Sequence, residues 1–226
     1  MNEPGTLLGC LVRSAALGES VRFLERSRER ALSYREVLDR SSAVGGALEA
    51  LGIGPGSRVA IAAPTGPAFY YAFFGVLAAG AAPLSLPLPP RFGAKASIQE
   101  ELQASVKAAG ARLVLTDAPG RVRMPEMEVV ALSGLPESGP RLVEGQPDSL
   151  ALVQLSSGTT GPPKPIPLTH RQLLSNVRAI RERILERYPA ERYEHGGVSW
   201  LPLYHDMGLV GAVLTAIAQP APLTLM

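Results

Sequence analysis

The stretch with the clearest chemical content is 150–176, LALVQLSSGTTGPPKPIPLTHRQLLSN, where an apolar run leads into Ser156, Ser157, Gly158, Thr159, Thr160, Gly161, Pro162, Pro163 and Lys164. Gly158 and Gly161 let the main chain bend close to a ligand. The hydroxyls of Ser156, Ser157, Thr159 and Thr160 can donate to phosphate oxygens, and Lys164 adds a compact positive charge. Glycine and serine alone would make an ordinary surface turn between two strands; the complete string with its terminal lysine points to phosphate binding. A Walker A loop is a different object, because its G-x-x-x-x-G-K-[ST] opens directly into a helix, whereas Lys164 is followed by Pro165, Ile166 and Pro167. Proline fixes φ and biases its predecessor toward extended conformations, so the chain should leave this loop as a strand. Pro165 also removes an amide donor and restricts Lys164.

The elements needed to hold such a loop can be read on both sides of it. Thr169-x-x-Gln172 has the form of a capping box and should start a helix whose apolar stripe is Leu173, Val177, Ile180 and Ile184. The basic remainder of that helix, 178–187, is interrupted by Glu182 and Glu186 and reads as a solvated face rather than a nucleic-acid patch. Upstream, Ser33-x-x-Glu36 marks a second helix start, with Tyr34, Val37, Leu38, Val44, Leu48 and Leu51 at three- and four-residue steps and Gly52 as its stop. Residues 58–63 suit a buried strand, 68–79 an apolar helix, 82–90 a proline-rich strand and loop, 95–109 a helix, and 112–116 and 127–131 two further strands. This alternation predicts an α/β fold of βαβ units over a parallel sheet. Residues 133–148, rich in proline, glycine and charge, should be a surface loop rather than a domain linker.

Composition supports a folded interior: the 226 residues are 46% hydrophobic and 19% charged, and 22 basic residues against 20 acidic ones create no field that would attract nucleic acid or a membrane surface. Cys10, the single cysteine, excludes an internal disulfide framework and reads as an ordinary small residue near a mobile terminus. The N-terminal residues lack a signal-peptide pattern, and the longest apolar runs fall short of a membrane span, so a cytoplasmic location is the simplest expectation. His170 fits the first turn of a helix and His195 a glycine-flanked loop. Their spacing from His205 matches no metal site, and none is assigned. Trp200, Met226 and the aromatics between Phe69 and Phe74 are expected in the core by default.

At the string from Ser156 to Lys164 the sequence resembles the adenylate-forming (AMP-binding) enzymes, which include acyl-CoA synthetases, fatty acyl-AMP ligases and peptide-synthetase adenylation domains. The resemblance extends to 33–86, SYREVLDRSSAVGGALEALGIGPGSRVAIAAPTGPAFYYAFFGVLAAGAAPLSL, which looks like the family's opening helix, strand and helix. LPLPPR (86–91) and SWLPLYHDMGLVG (199–211) look most like the fatty acyl-AMP ligase branch. The resemblance implies that a carboxylate attacks the α-phosphate of ATP, giving an acyl-adenylate and pyrophosphate, before the acyl group passes to an acceptor. It gives Lys164 and the loop of Ser156, Ser157, Gly158, Thr159, Thr160 and Gly161 to the β- and γ-phosphates, places His205 beside the acyl carboxylate, and makes Trp200 and Met207 candidates for the acyl pocket. Asp206 would orient its neighbour or cap the following helix. Without the family, His205-Asp206 would read as a hydrogen-bonded turn.

The family usually places glycine where this chain has Pro165. The sequence stops at Met226, before the family's adenine-binding segment, ribose-binding aspartate, hinge and small C-terminal domain. Residues 1–226 are therefore expected to be the N-terminal part of an adenylation domain, as a fragment or as one half of a split enzyme. ATP, Mg²⁺ (its protein ligand expected in the missing portion), a fatty or other carboxylic acid, an acyl carrier protein or CoA acceptor and a complementing C-terminal half are the implied ligands and partners. The truncation would leave 222–226 as a strand lacking its neighbours. The competing expectation is a non-catalytic, degenerate ligase fragment acting as an acyl-binding or protein-interaction module.

Overall fold

The structure, a computed structural model, describes residues 3–25, 28–90, 96–156, 163–189 and 196–226. In chain order it comprises α1 (Leu7–Ala16), β1 (Ser20–Glu25), β2 (Arg28–Ser33), α2 (Tyr34–Ala50), β3 (Arg58–Ala62), α3 (Pro67–Ala78), β4 (Ala82–Ser85), α4 (Ala96–Ala109), β5 (Leu113–Thr116) and β6 (Val129–Ala131). There follow β7 (Leu150–Leu155), β8 (Pro165–Thr169), α5 (His170–Arg187), β9 (Gly197–Ser199), a π-helix (Met207–Leu214), α6 (Thr215–Ala218) and β10 (Leu223–Leu225).

The expected sheet is a six-stranded one in the order β6-β5-β3-β4-β7-β8, parallel except for β8, which runs antiparallel to β7. Successive side chains of a strand point to opposite faces, and both faces here are covered. Val59 and Ile61 join one buried cluster, while Ala60 and Ala62 join another with Leu102 and Val106 of α4. The helices stop where glycine permits a left-handed turn. At Gly52 (φ 75°) the N–H of Ile53 reaches the carbonyl of Leu48 at 2.9 Å and that of Gly52 reaches Glu49 at 2.8 Å, and Gly80 ends α3 in the same way. Ser33 Oγ accepts from the N–H of Glu36, forming the forward half of the expected box, while at Thr169 and Gln172 both halves form. Leu51 caps α2 and is exposed instead of completing the buried stripe.

A second sheet, in the order β2-β1-β10-β9, was not foreseen. It corrects the expectation for 222–226: β10 pairs in parallel with β1 on one side and β9 on the other, Leu223 and Leu225 are buried, and the N–H of Met226 reaches Ser199 O at 3.0 Å. Cys10 is corrected likewise, since it lies buried in α1, held by the Thr6 cap, and desolvation pushes its thiol up to about 11. Such a thiol is not an activated nucleophile. Phe69, Phe73 and Phe74 are in the core as expected, but Trp200 is 72% exposed and Met226 50%, because neither is covered by another element. The α5 stripe is buried at Leu173 and Val177 and opens to solvent by Ile184.

The loop at 133–148 runs over the surface but is strapped down: the N–H of Arg141 reaches Ser42 O, and that of Val143 reaches Ala78 O at 2.8 Å. No helix among the described residues is long and apolar enough to cross a membrane.

Candidate functional site

β7 ends at Leu155 on the C-terminal side of the parallel strands, where open α/β sheets bind ligands, and the phosphate string begins with the next residue. Two bonds tie its ends together: Ser156 N–H donates to Lys164 O at 2.9 Å, and Lys164 N–H donates to Ser156 Oγ at 2.8 Å. The Ser156 hydroxyl, used here as an acceptor, keeps its proton to donate. Lys164 is exposed, and among the described residues no carboxylate pairs with it. Ser157, Gly158, Thr159, Thr160 and Gly161 lie outside the described residues, as does His195.

Pro165 is accommodated by the edge position of β8. It stands opposite Leu155, and Pro167 stands opposite Val153. These alternate with the bonded pair Ser156 and Lys164, so both missing N–H groups fall on the outer side of an edge strand, where no ladder bond is lost. The amide of Lys164 remains free to hold Ser156.

The second group forms a tight turn after β9. Ser199 Oγ accepts from Leu201 N–H at 3.2 Å, His205 N–H donates to Pro202 O at 3.1 Å, and Leu209 N–H donates to His205 O at 2.9 Å. Asp206 Oδ1 accepts from Met207 N–H at 2.8 Å, which is the capping role expected of it. Gly208 is required sterically, since a Cβ there would stand 2.5 Å from Pro202 O. The rings of Tyr204 and His205 lie 4.9 Å apart, and the His205, Trp200 and Met207 side chains are exposed.

The helix that follows is a π-helix, a form frequent at functional sites that apolar periodicity does not reveal. With α5, β9 and β10 it borders a cavity of about 600 Å³, lined by Ile184, Leu185, Val198, Gly211, Ala212 and Leu223, with Arg181 among its polar groups. Trp200 and Met207 are not part of that lining.

The two groups are joined by a residue that the sequence reading passed over. Gln154, on β7, donates from Nε2 to Tyr204 O at 3.0 Å. Its only sequence signal is a polar side chain in the otherwise apolar LALVQL. Behind the site, buried His170 accepts from Leu7 N–H at its Nδ1 at 3.1 Å, and burial pushes its pKa down to about 4. The neutral ring thus fastens α1 to the start of α5.

The family model of the AMP-binding enzymes matches residues 13–226. The chain belongs to this family. It is 31% identical to a protein named as a putative acyl-CoA synthetase in Caulobacter vibrioides, across 83% of this chain and 34% of that one. It is 33% identical to the long-chain-fatty-acid AMP ligase FadD32 of Mycolicibacterium smegmatis, across 85% of this chain and 32% of the relative. The chain therefore spans about a third of the length of the curated relatives it matches. In fold, it superposes on a fatty acyl-adenylate ligase from L. pneumophila, in complex with acyl adenylate and pyrophosphate, with a TM-score of 0.86 and 24% identity, over 99% of this chain and 40% of the other. Acid adenylation with ATP is the chemistry of the family, and the α/β architecture with parallel layers is that of its N-terminal domains.

Proposed function

We propose that this chain carries the phosphate-binding and carboxylate-binding elements of an enzyme that activates a fatty or other carboxylic acid as its adenylate. A carboxylate oxygen of the acid attacks the α-phosphorus of ATP, the bond from that phosphorus to the bridging oxygen breaks, and pyrophosphate leaves. Little covalent chemistry falls to the protein; it must align the reactants and offset the spreading negative charge. Lys164 and the hydroxyls of Ser156, Ser157, Thr159 and Thr160, with the turns at Gly158 and Gly161, would hold the β- and γ-phosphates. His205 would lie beside the acid's carboxylate, and Trp200 and Met207 would face its apolar tail. Mg²⁺ would arrive with ATP, and CoA or the thiol of an acyl carrier protein would accept the acyl group.

The single observation that supports this reading best is the neck of Ser156 and Lys164 at the C-terminal end of a parallel strand, with Lys164 unpaired among the described residues. The apolar cavity beside the π-helix supports an acid with an apolar tail, with Trp200 and Met207 outside its lining. In this reading residues 1–226 are the N-terminal part of an adenylation domain whose remainder is supplied by further polypeptide.

The test is to incubate the protein, purified from its own cell with any chain that accompanies it, with ATP, Mg²⁺, a series of carboxylic acids and hydroxylamine. Hydroxamate formed only when acid and ATP are both present is the expected result. ATP hydrolysis indifferent to added acid would overturn the reading.

A further inference from the structure

We infer that Gln154 is a positioning residue that holds the Tyr204-His205 turn in register with the root of the phosphate loop. The kinetic side of this inference rests on the acid-activation reading; the structural side does not.

Strand alternation puts Leu152, Gln154 and Ser156 on one face of β7, and Leu152 belongs to the core shared with the second sheet. Gln154 thus stands two residues before the loop, on the face turned toward the His205 segment. Apart from the bond that Met226 N–H, just after β10, donates to Ser199 O, the turn's other hydrogen bonds are local, from Ser199, Pro202, His205 and Asp206. The bond from Gln154 Nε2 to Tyr204 O spans 50 residues of sequence and, among the described residues, is the hydrogen bond that ties this turn to the six-stranded sheet. It fixes the carbonyl immediately before His205.

The other end of the amide shows what this tie costs the fold. Gln154 Oε1 is buried without a hydrogen-bond partner, a penalty that a leucine in this apolar strand would not carry. The favourable half of the side chain is the donor to Tyr204. Because the other end of the same β7 segment passes into Ser156, the partner of Lys164, one strand sets both groups of the site.

The experiment compares Gln154→Leu and Gln154→Glu with the wild type, both variants lacking the N–H donor. In acid-dependent exchange of pyrophosphate into ATP, kcat should fall about 10- to 100-fold, the loss typical of a misplacement on the order of 1 Å, with KM for ATP changed by less than about twofold. In a His205→Ala background, Gln154→Leu should add less than about twofold, because both changes act through one group. A full additional loss in that background, or an unchanged kcat, would overturn the inference.

A second readout needs no activity. Amide exchange at Leu209, whose N–H bonds to His205 O, should rise about tenfold in Gln154→Leu while that of Leu7 in α1 stays as in the wild type. Unchanged exchange at Leu209 would equally overturn the inference, and a rise at both amides would mark general destabilisation and also count against it. If the wild type shows no acid-dependent exchange, the functional reading fails, and Leu209 alone decides the role of Gln154.

Discussion

The six-stranded sheet takes its strands from one continuous stretch, 58–169, whereas the four-stranded sheet joins β1 and β2 (20–33) to β9 and β10 (197–225). The first grows within that stretch, with α3 carrying β3 to its partner β4 and with β4 also pairing with β7, whereas the second requires β1 to meet β10 from the other end of the chain. Yet one core serves both: Ile61, Leu115 and Leu152 lie in the same buried cluster as Val21, Phe23, Leu223 and Leu225. The sheets therefore differ in how the chain brings their strands together, and also in burial: β4 and β5 are buried throughout, whereas β2 and β9 are largely exposed.

Matched cavities in the two sheets should have the largest effect on stability. Leu115 and Leu225 are 0% and 1% exposed. Leu115→Ala and Leu225→Ala should each cost about 2–5 kcal/mol, read from denaturant midpoints, in a single cooperative transition. A two-step melt for Leu225→Ala alone would mean that the four-stranded sheet unfolds separately.

Next comes the seam between the chain's start and α5. The His170 pKa, about 4 in the fold against 6.5 for the free residue, favours the neutral form, so its contribution is complete above pH 6.5 and is lost as the pH falls toward 4. The loss should reach about 3 kcal/mol, and His170→Gln should flatten that part of the stability profile measured by urea titration between pH 7.5 and 4.

At the candidate site, Gly208→Ala should cost about 1–3 kcal/mol, because its Cβ would meet the backbone oxygens of Pro202 at 2.5 Å and Leu201 at 3.0 Å. Gly211→Ala, in the same π-helix, meets only Met207 Sδ at 3.9 Å and should leave the melting temperature near the wild-type value. The smallest effect is expected at Thr169→Ala, about 1 kcal/mol for the lost capping box, seen as a lower midpoint with an unchanged slope.

The same contrast explains what the sequence disclosed. β3, α3, β4, α4 and β5 were legible because short apolar runs alternate with glycine stops, and β8 because Pro165 and Pro167 forbid a helix there. β10 was expected as a strand but not with its partners, while β9 is three residues long and β2 is exposed at all positions but Leu32, so neither length nor alternation marks those two. At the site, the phosphate string was legible from its residue types and spacing, whereas His205 was singled out only through the family resemblance. The π-helix was not, because its hydrogen-bond pattern leaves no trace in periodicity. Gln154 was not, because a lone polar residue in a strand acquires meaning only through a partner 50 residues away.

We propose that Lys164 and the turn at His205 serve one reaction on ATP and a carboxylic acid. This is tested most directly by isotope exchange between pyrophosphate and ATP, in wild-type protein and in Lys164→Ala, with and without acid. Exchange that requires the acid and falls by about two orders of magnitude or more in Lys164→Ala is the predicted result. Exchange that ignores the acid, or that survives Lys164→Ala undiminished, would contradict it.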